Sequence, residues 1–142
     1  MSLNTPKHRL LLIRGLGHSG TTILDLALGA HSQITGLGEA VRLLEKPSPG
    51  DSHRGPAQLR GDLRYQRRCT CGQVAAQCPV WGPVLDWLPE HDDLELSVKL
   101  RRLLDALAES GAAATGDAPH WVVDSYQDDL QLQNLKAPDL EI

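Results

Sequence analysis

Between Gly15 and Thr22 the chain reads Gly15-Leu16-Gly17-His18-Ser19-Gly20-Thr21-Thr22, packing three glycines, one imidazole and three hydroxyls into eight residues. Glycines let a backbone turn its N–H groups inward around an anion, and a helix starting there adds a favourable dipole. Gly15, Gly20 and the threonines fit a Gly-x-x-x-x-Gly loop, but Thr21 stands where an ATP-binding loop carries Lys. The loop's cation, His18, comes three residues before Thr21. A Walker-A loop with its Lys on the β and γ phosphates is therefore excluded. Gly15, Gly17 and Gly20 also fit a dinucleotide fingerprint, whose acidic residue is expected about 20 residues on. Glu39 falls in that range, so this competitor stands beside the phosphate loop. The bland alternative is a glycine turn with no ligand.

Other chemistry-bearing residues are spread along the chain. Glu39, flanked by Gly38 and followed by Arg42, suits a carboxylate at the carboxyl edge of a sheet; it equally suits a helix start, where it complements the dipole. Arg42 is a charge-stabilising group or a solvated helix residue. His31 reads as a packing or capping group after the first helix. Asp124 and Ser125 end an apolar run, where ligands meet parallel sheets and where either residue can also cap a helix. Cys69, Cys71 and Cys78 could bind zinc with His53 or His91 as a fourth ligand. Cys-x-Cys is not the usual Cys-x₂-Cys knuckle, so reduced structural thiols or one reversible disulfide compete with zinc. The arginines from Arg54 to Arg68 read as a solvated face, or as an attractor for an anionic acceptor or nucleotide.

The elements that must position these groups follow from hydrophobic patterning. Arg9 to Arg14 is a short apolar run that breaks into glycines, as a parallel strand buried on both faces would. Ile23, Leu24, Leu26, Ala27 and Leu28 have helical spacing, with Thr21 or Thr22 near the start and Gly29 as the stop. A second strand covers roughly Gln33 to Gly36, and Ala40 to Lys46 reads as helix until Pro47. Residues 48–60 are rich in Pro, Gly and Ser and form a loop. Gly61 to Arg68 reads as a basic helical piece and Pro83 to Leu88 as a short helix. Leu94 to Ser110 is the strongest amphipathic helix, with Leu96, Leu100, Leu103, Leu104 and Leu107 on one face. Gly111 to Ala118 is a linker, Trp121 to Ser125 a buried strand, and Leu130 to Leu135 a further helix. The alternation predicts an α/β fold, a parallel sheet flanked by helices.

Bulk properties bound the function. A chain of 142 residues is one domain's worth or less. With no Phe, three Trp and two Tyr, aliphatic residues must fill the core. A net charge of −4 argues against a nucleic-acid partner. Nothing approaches the roughly 18 apolar residues of a membrane span, and no signal peptide precedes the odd number of cysteines; the expectation is a cytoplasmic protein without a secreted disulfide framework.

The loop His18-Ser19-Gly20-Thr21-Thr22, the later His31 and Gly38-Glu39-Ala40-Val41-Arg42, the segments Cys69-x-Cys71-Gly72 and Cys78-Pro79-Val80-Trp81-Gly82, and Val122-Val123-Asp124-Ser125 occur in one order. Together they resemble the sulfotransferase superfamily, especially its tyrosylprotein and bacterial branches, over about Arg9 to Leu135. The resemblance implies a P-loop NTPase-like sulfotransferase fold and 3′-phosphoadenosine 5′-phosphosulfate (PAPS) as sulfonate donor. It implies that Gly17, His18, Ser19, Gly20, Thr21 and Thr22 bind the phosphosulfate and that Glu39 acts as catalytic base. His18 would be the catalytic cation and Arg42 would hold substrate or developing charge. The acceptor would be a small molecule or peptide bearing a hydroxyl or amine, and no metal is required.

Three departures stand out. His18 replaces the family's Lys or Arg, and Tyr126-Gln127 replaces the Ser-Lys that follows its Asp-Ser pair. The strand and helix that supply an Arg and a Ser for the 3′-phosphate have no counterpart after Asp124. The expectation is thus an incomplete domain, the N-terminal portion of a sulfotransferase. In it 8–46 hold the strand, loop, helix and Gly-Glu element, 47–93 a cysteine-containing insert, and 94–142 a helix, a strand and the start of the next helix. A sheet cut after its third strand would leave an open edge and an uncovered apolar face, which invite self-association. A kinase-like phosphotransferase and a non-catalytic remnant that binds an anion or a partner are the rival readings.

Overall fold

A computed structural model describes residues 8–15, 20–46, 64, 68–69, 71–110, 120–125, 135 and 139–142. The chain divides into two compact units, residues 1–41 with 111–142, and residues 42–110.

The first unit is built on a sheet of four parallel strands in the order β2-β3-β1-β4, with β1 His8–Leu12, β2 Ile34–Gly36, β3 Trp121–Asp124 and β4 Leu140–Glu141. Its α/β character is as the alternation predicts. Leu10, Leu11 and Leu12 pair with Val122, Val123 and Asp124, and Ile34, Thr35 and Gly36 pair with Trp121, Val122 and Val123. β3 is therefore the inner strand between the first two. Leu10, Ile13, Val122, Val123 and Leu140 supply buried apolar surface.

Two expectations about this sheet need correction. β1 is not buried on both faces, because Leu11 is 40% exposed. Nor does the sheet end at three strands: His8 and Arg9 pair with Leu140 and Glu141, so β4 covers the free side of β1. Two residues with one charge carry too little apolar periodicity to announce a strand. The Arg9–Glu141 ion pair at 2.9 Å adds a side-chain contact to that pairing.

Helix α1 runs Thr21–Gly29, with the expected start and stop. Its burial is inverted relative to expectation. Thr21 and Asp25 face inward, while Ile23 and Leu26 are 73% and 67% exposed and Leu24 is also exposed. Residues four apart share a helix face, so burying Thr21 and Asp25 turns the intervening leucine and isoleucine outward. The helix thus carries an exposed apolar stripe.

The second unit is helical. Helix α2 covers Trp81–Trp87 and helix α3 covers Leu96–Glu109. A 3₁₀ turn at Val41–Leu44 replaces the helix expected over Ala40 to Lys46, and further 3₁₀ turns lie at Ala75–Gln77 and Leu88–Glu90. Leu100, Leu103, Leu104 and Leu107 of α3 are buried as their spacing predicts, and Val84, Leu85 and Leu88 are buried with them.

One arginine of the presumed solvated run is instead a core group. Arg64 is 2% exposed. Its Nε donates to the Leu43 carbonyl at 2.8 Å and one terminal nitrogen to the Glu45 carbonyl at 2.7 Å. The guanidinium also grips both Asp92 carboxylate oxygens, at 2.7 and 2.8 Å. Lys99, equally buried, donates to the Asp92 carbonyl at 3.1 Å, and burial holds its ammonium below the usual lysine range. Arg54, Arg60 and Arg67, the loop at 48–60, the linker at 111–118 and most of the helices expected over 61–68 and 130–135 lie outside the described residues. Among the described residues no helix is long and apolar enough to cross a membrane.

Candidate functional site

Because β1, β2 and β3 run parallel, the segments that follow them emerge at one edge of the sheet. Those segments begin at Ile13 after β1, and include the Gly38-Glu39 element after β2 and Ser125 after β3. This is the carboxyl edge, where open α/β sheets take their ligands.

Gly20 is the residue before α1 and has φ 89°. That left-handed conformation strains any side chain bearing a Cβ, which accounts for glycine there in terms of backbone geometry. The preceding Gly17, His18 and Ser19 lie outside the described residues. Thr21 is buried at the head of α1, and Thr22 is exposed.

The Gly38-Glu39 element is tied down from two sides. Ser125 donates its backbone N–H to the Gly38 carbonyl at 2.7 Å, and Leu37 donates to the Val123 carbonyl at 2.8 Å. The Asp124 side chain accepts the N–H groups of Ala40 and Val41 at 2.7 and 2.9 Å. Asp124 thus caps the turn that follows Glu39; the residues after Ser125, where a helix cap was the expected alternative, lie outside the described residues. Glu39, half-buried, is held between Gly38 and the capped amides of Ala40 and Val41. Arg42 lies in the 3₁₀ turn just beyond.

Sequence reasoning missed Asp25. Its carboxyl accepts the Gly38 N–H at 3.3 Å and is 3% exposed. Burial raises its pKa above the ordinary 3.8, while the Gly38 N–H and the Ser125 hydroxyl beside it oppose that rise. Among the described residues Asp25 Oδ2 is buried without a hydrogen-bond partner. The signal was a single acid inside the apolar stretch Ile23-Leu24-Asp25-Leu26, which helical spacing alone assigns to the solvent face.

The remaining candidates are local. His31, exposed just after α1, accepts the Gln33 N–H on Nδ1 at 3.1 Å, a local turn contact rather than a packed one. His91 stacks on Trp87 with ring centroids 4.2 Å apart and sets Nδ1 2.8 Å from the Trp87 carbonyl. The thiols of Cys69, Cys71 and Cys78 converge, with Cys78 Sγ 3.5 Å from Cys69 Sγ. Burial pushes the Cys69 thiol up to about 11, whereas the Gln73 N–H lowers that of Cys71.

Comparison with protein-family models, with curated proteins and with solved structures finds no match for this chain.

Proposed function

We propose that the chain is a PAPS-binding, sulfotransferase-type α/β protein that transfers a sulfonate group to a hydroxyl or amine acceptor. The observation that carries this reading is the meeting of three strand ends at one sheet edge: Gly20 opening α1, Glu39 after β2, and Asp124-Ser125 after β3. Sulfonate transfer asks chiefly for in-line placement and charge stabilisation. In this scheme the N–H groups from Gly17 to Thr21 hold the 5′-phosphosulfate, with His18, Ser19, Thr21 and Thr22 adding donors. Glu39 takes the acceptor's proton as the acceptor oxygen or nitrogen bonds to sulfur. The bridging oxygen leaves with adenosine 3′,5′-bisphosphate. Asp124 is a positioning residue, since it holds the backbone of Ala40 and Val41 next to Glu39.

Isothermal titration with adenosine 3′,5′-bisphosphate tests the reading. Saturable, magnesium-independent binding that Gly20→Val abolishes is the expected result. Magnesium-dependent ATP binding instead would favour a phosphotransferase. An absence of binding to either nucleotide would leave an anion- or partner-binding remnant and remove the enzymatic claim.

A further inference from the structure

The cysteine segment of the second unit is folded into a specific local structure before any ligand is considered. Arg68 and Val74 pair as an antiparallel bridge, and the chain reverses between them. Cys69 donates its N–H to the Gln73 carbonyl at 2.8 Å, and Gly72 donates to the Cys69 carbonyl at 2.9 Å. Gly72 takes φ 87°, which the reversal needs and a Cβ would oppose. This turn sets Cys69 at its base and Cys71, exposed, at its tip. Cys78 arrives from the other side, closing the 3₁₀ turn Ala75–Gln77 through its N–H on the Ala75 carbonyl. Its own carbonyl accepts the Gly82 N–H of α2 at 2.7 Å.

All three Sγ atoms lie within 4.8 Å of one another. Tetrahedral zinc, with Zn–S of about 2.3 Å, holds its sulfurs about 3.8 Å apart, and the Cys69–Cys78 separation of 3.5 Å is close to that. A disulfide would need about 2.0 Å between two sulfurs and would leave the third thiol unused. We propose that Cys69, Cys71 and Cys78 form a zinc site that clamps the turn 68–74 to the start of α2.

Binding would release the thiol protons, and the three thiolates would leave the site with one net negative charge. The fourth position falls to water or to another ligand. His91 is not part of this group, since its ring is engaged with Trp87. The three cysteines lie wholly in the second unit.

The test is metal analysis of the full chain expressed in zinc-supplemented medium and purified under reducing conditions. Stoichiometric zinc is expected, lost in Cys71→Ser. Because Cys71 is exposed, that substitution removes a ligand without opening a cavity. Cobalt titration of the chelator-treated wild-type protein should give thiolate-to-cobalt charge-transfer absorption and tetrahedral ligand-field bands, which report the site without any variant. Chelator should lower the melting temperature of the wild type and leave that of Cys71→Ser unchanged. A metal-free wild type with no cobalt spectrum would overturn the proposal. So would copper in place of zinc, a Cys69–Cys78 disulfide found by mass spectrometry, or full zinc retention by Cys71→Ser.

Discussion

Asp124 accepts a hydrogen bond from the backbone N–H of Ala40, 84 residues earlier in the chain, at 2.7 Å. The same oxygen takes the Val41 N–H, so one buried carboxyl at the end of β3 fixes the backbone that carries Glu39 after β2. Replacing it with Ala leaves both amides without this acceptor. A buried donor left without its acceptor costs about 1–3 kcal/mol, so Asp124→Ala, which strands two amides, should cost about 3 kcal/mol or more by urea denaturation. Asp124→Asn, which keeps one acceptor oxygen, should lose less.

Asp25 and Gly38 make a second, electrically different contact. Because burial raises the native pKa of Asp25 above 3.8, the folded state holds its proton more tightly than the unfolded state does. The associated stability is complete below pH 3.8 and disappears as pH rises through the native value. Asp25→Asn keeps an acceptor for the Gly38 N–H and removes the buried charge. It should melt at a higher temperature than the wild type at pH 7, with the advantage vanishing toward acid pH. An advantage that persists unchanged at acid pH would contradict this account.

Arg64 is buried and grips both carboxylate oxygens of the part-buried Asp92. Removing one partner of such a pair strands the other charge, at a cost of about 3–5 kcal/mol. Arg64→Ala and Asp92→Ala should each fall in that range, and the double variant should lose much less than their sum. Additive losses in a double-mutant cycle would show the two side chains to be energetically independent.

His120 Nε2 lies 2.7 Å from Thr35 Oγ1, and burial depresses the imidazole pKa below 6.5. The native state therefore resists protonation. Stability should be full above about pH 6.5 and fall as pH drops through the lower native value. Nuclear magnetic resonance titration of the ring reads the shift directly. Thr35→Val should cost about 1 kcal/mol through the lost hydrogen bond.

If Glu39 is the base of a sulfonate transfer, Glu39→Gln should lower kcat by about 10²–10⁴-fold. Adenosine 3′,5′-bisphosphate affinity should not change, because the carboxylate faces the acceptor. Equal losses in binding and turnover would place Glu39 on the donor instead.

Much of the fold was legible because local patterning announces regular elements. Leu10 to Ile13 breaking into glycines marked β1, and the leucines of α3 marked their buried face. β4 was not legible: its residues pair by backbone, and a partner of β1 132 residues away leaves no local pattern. The Glu39 and Asp124 positions could be picked out as strand-end polar groups, but their connection could not, since it runs from a side chain to backbone amides.

The sequence by itself determined where strand and helix succeed one another, and that a Gly-rich, hydroxyl-rich stretch of sequence precedes α1. It determined that this stretch lacks the Lys of an ATP-binding site. Only the tertiary structure decided which face of α1 turns inward, making Asp25 the buried acid while Ile23 and Leu26 stay exposed. It also decided that Arg64 is a core cation and that three cysteines share one point in space. The physical reason is common to all of these: spacing along a chain reports local backbone periodicity. Burial of a charge or convergence of thiols depends on partners brought together by folding.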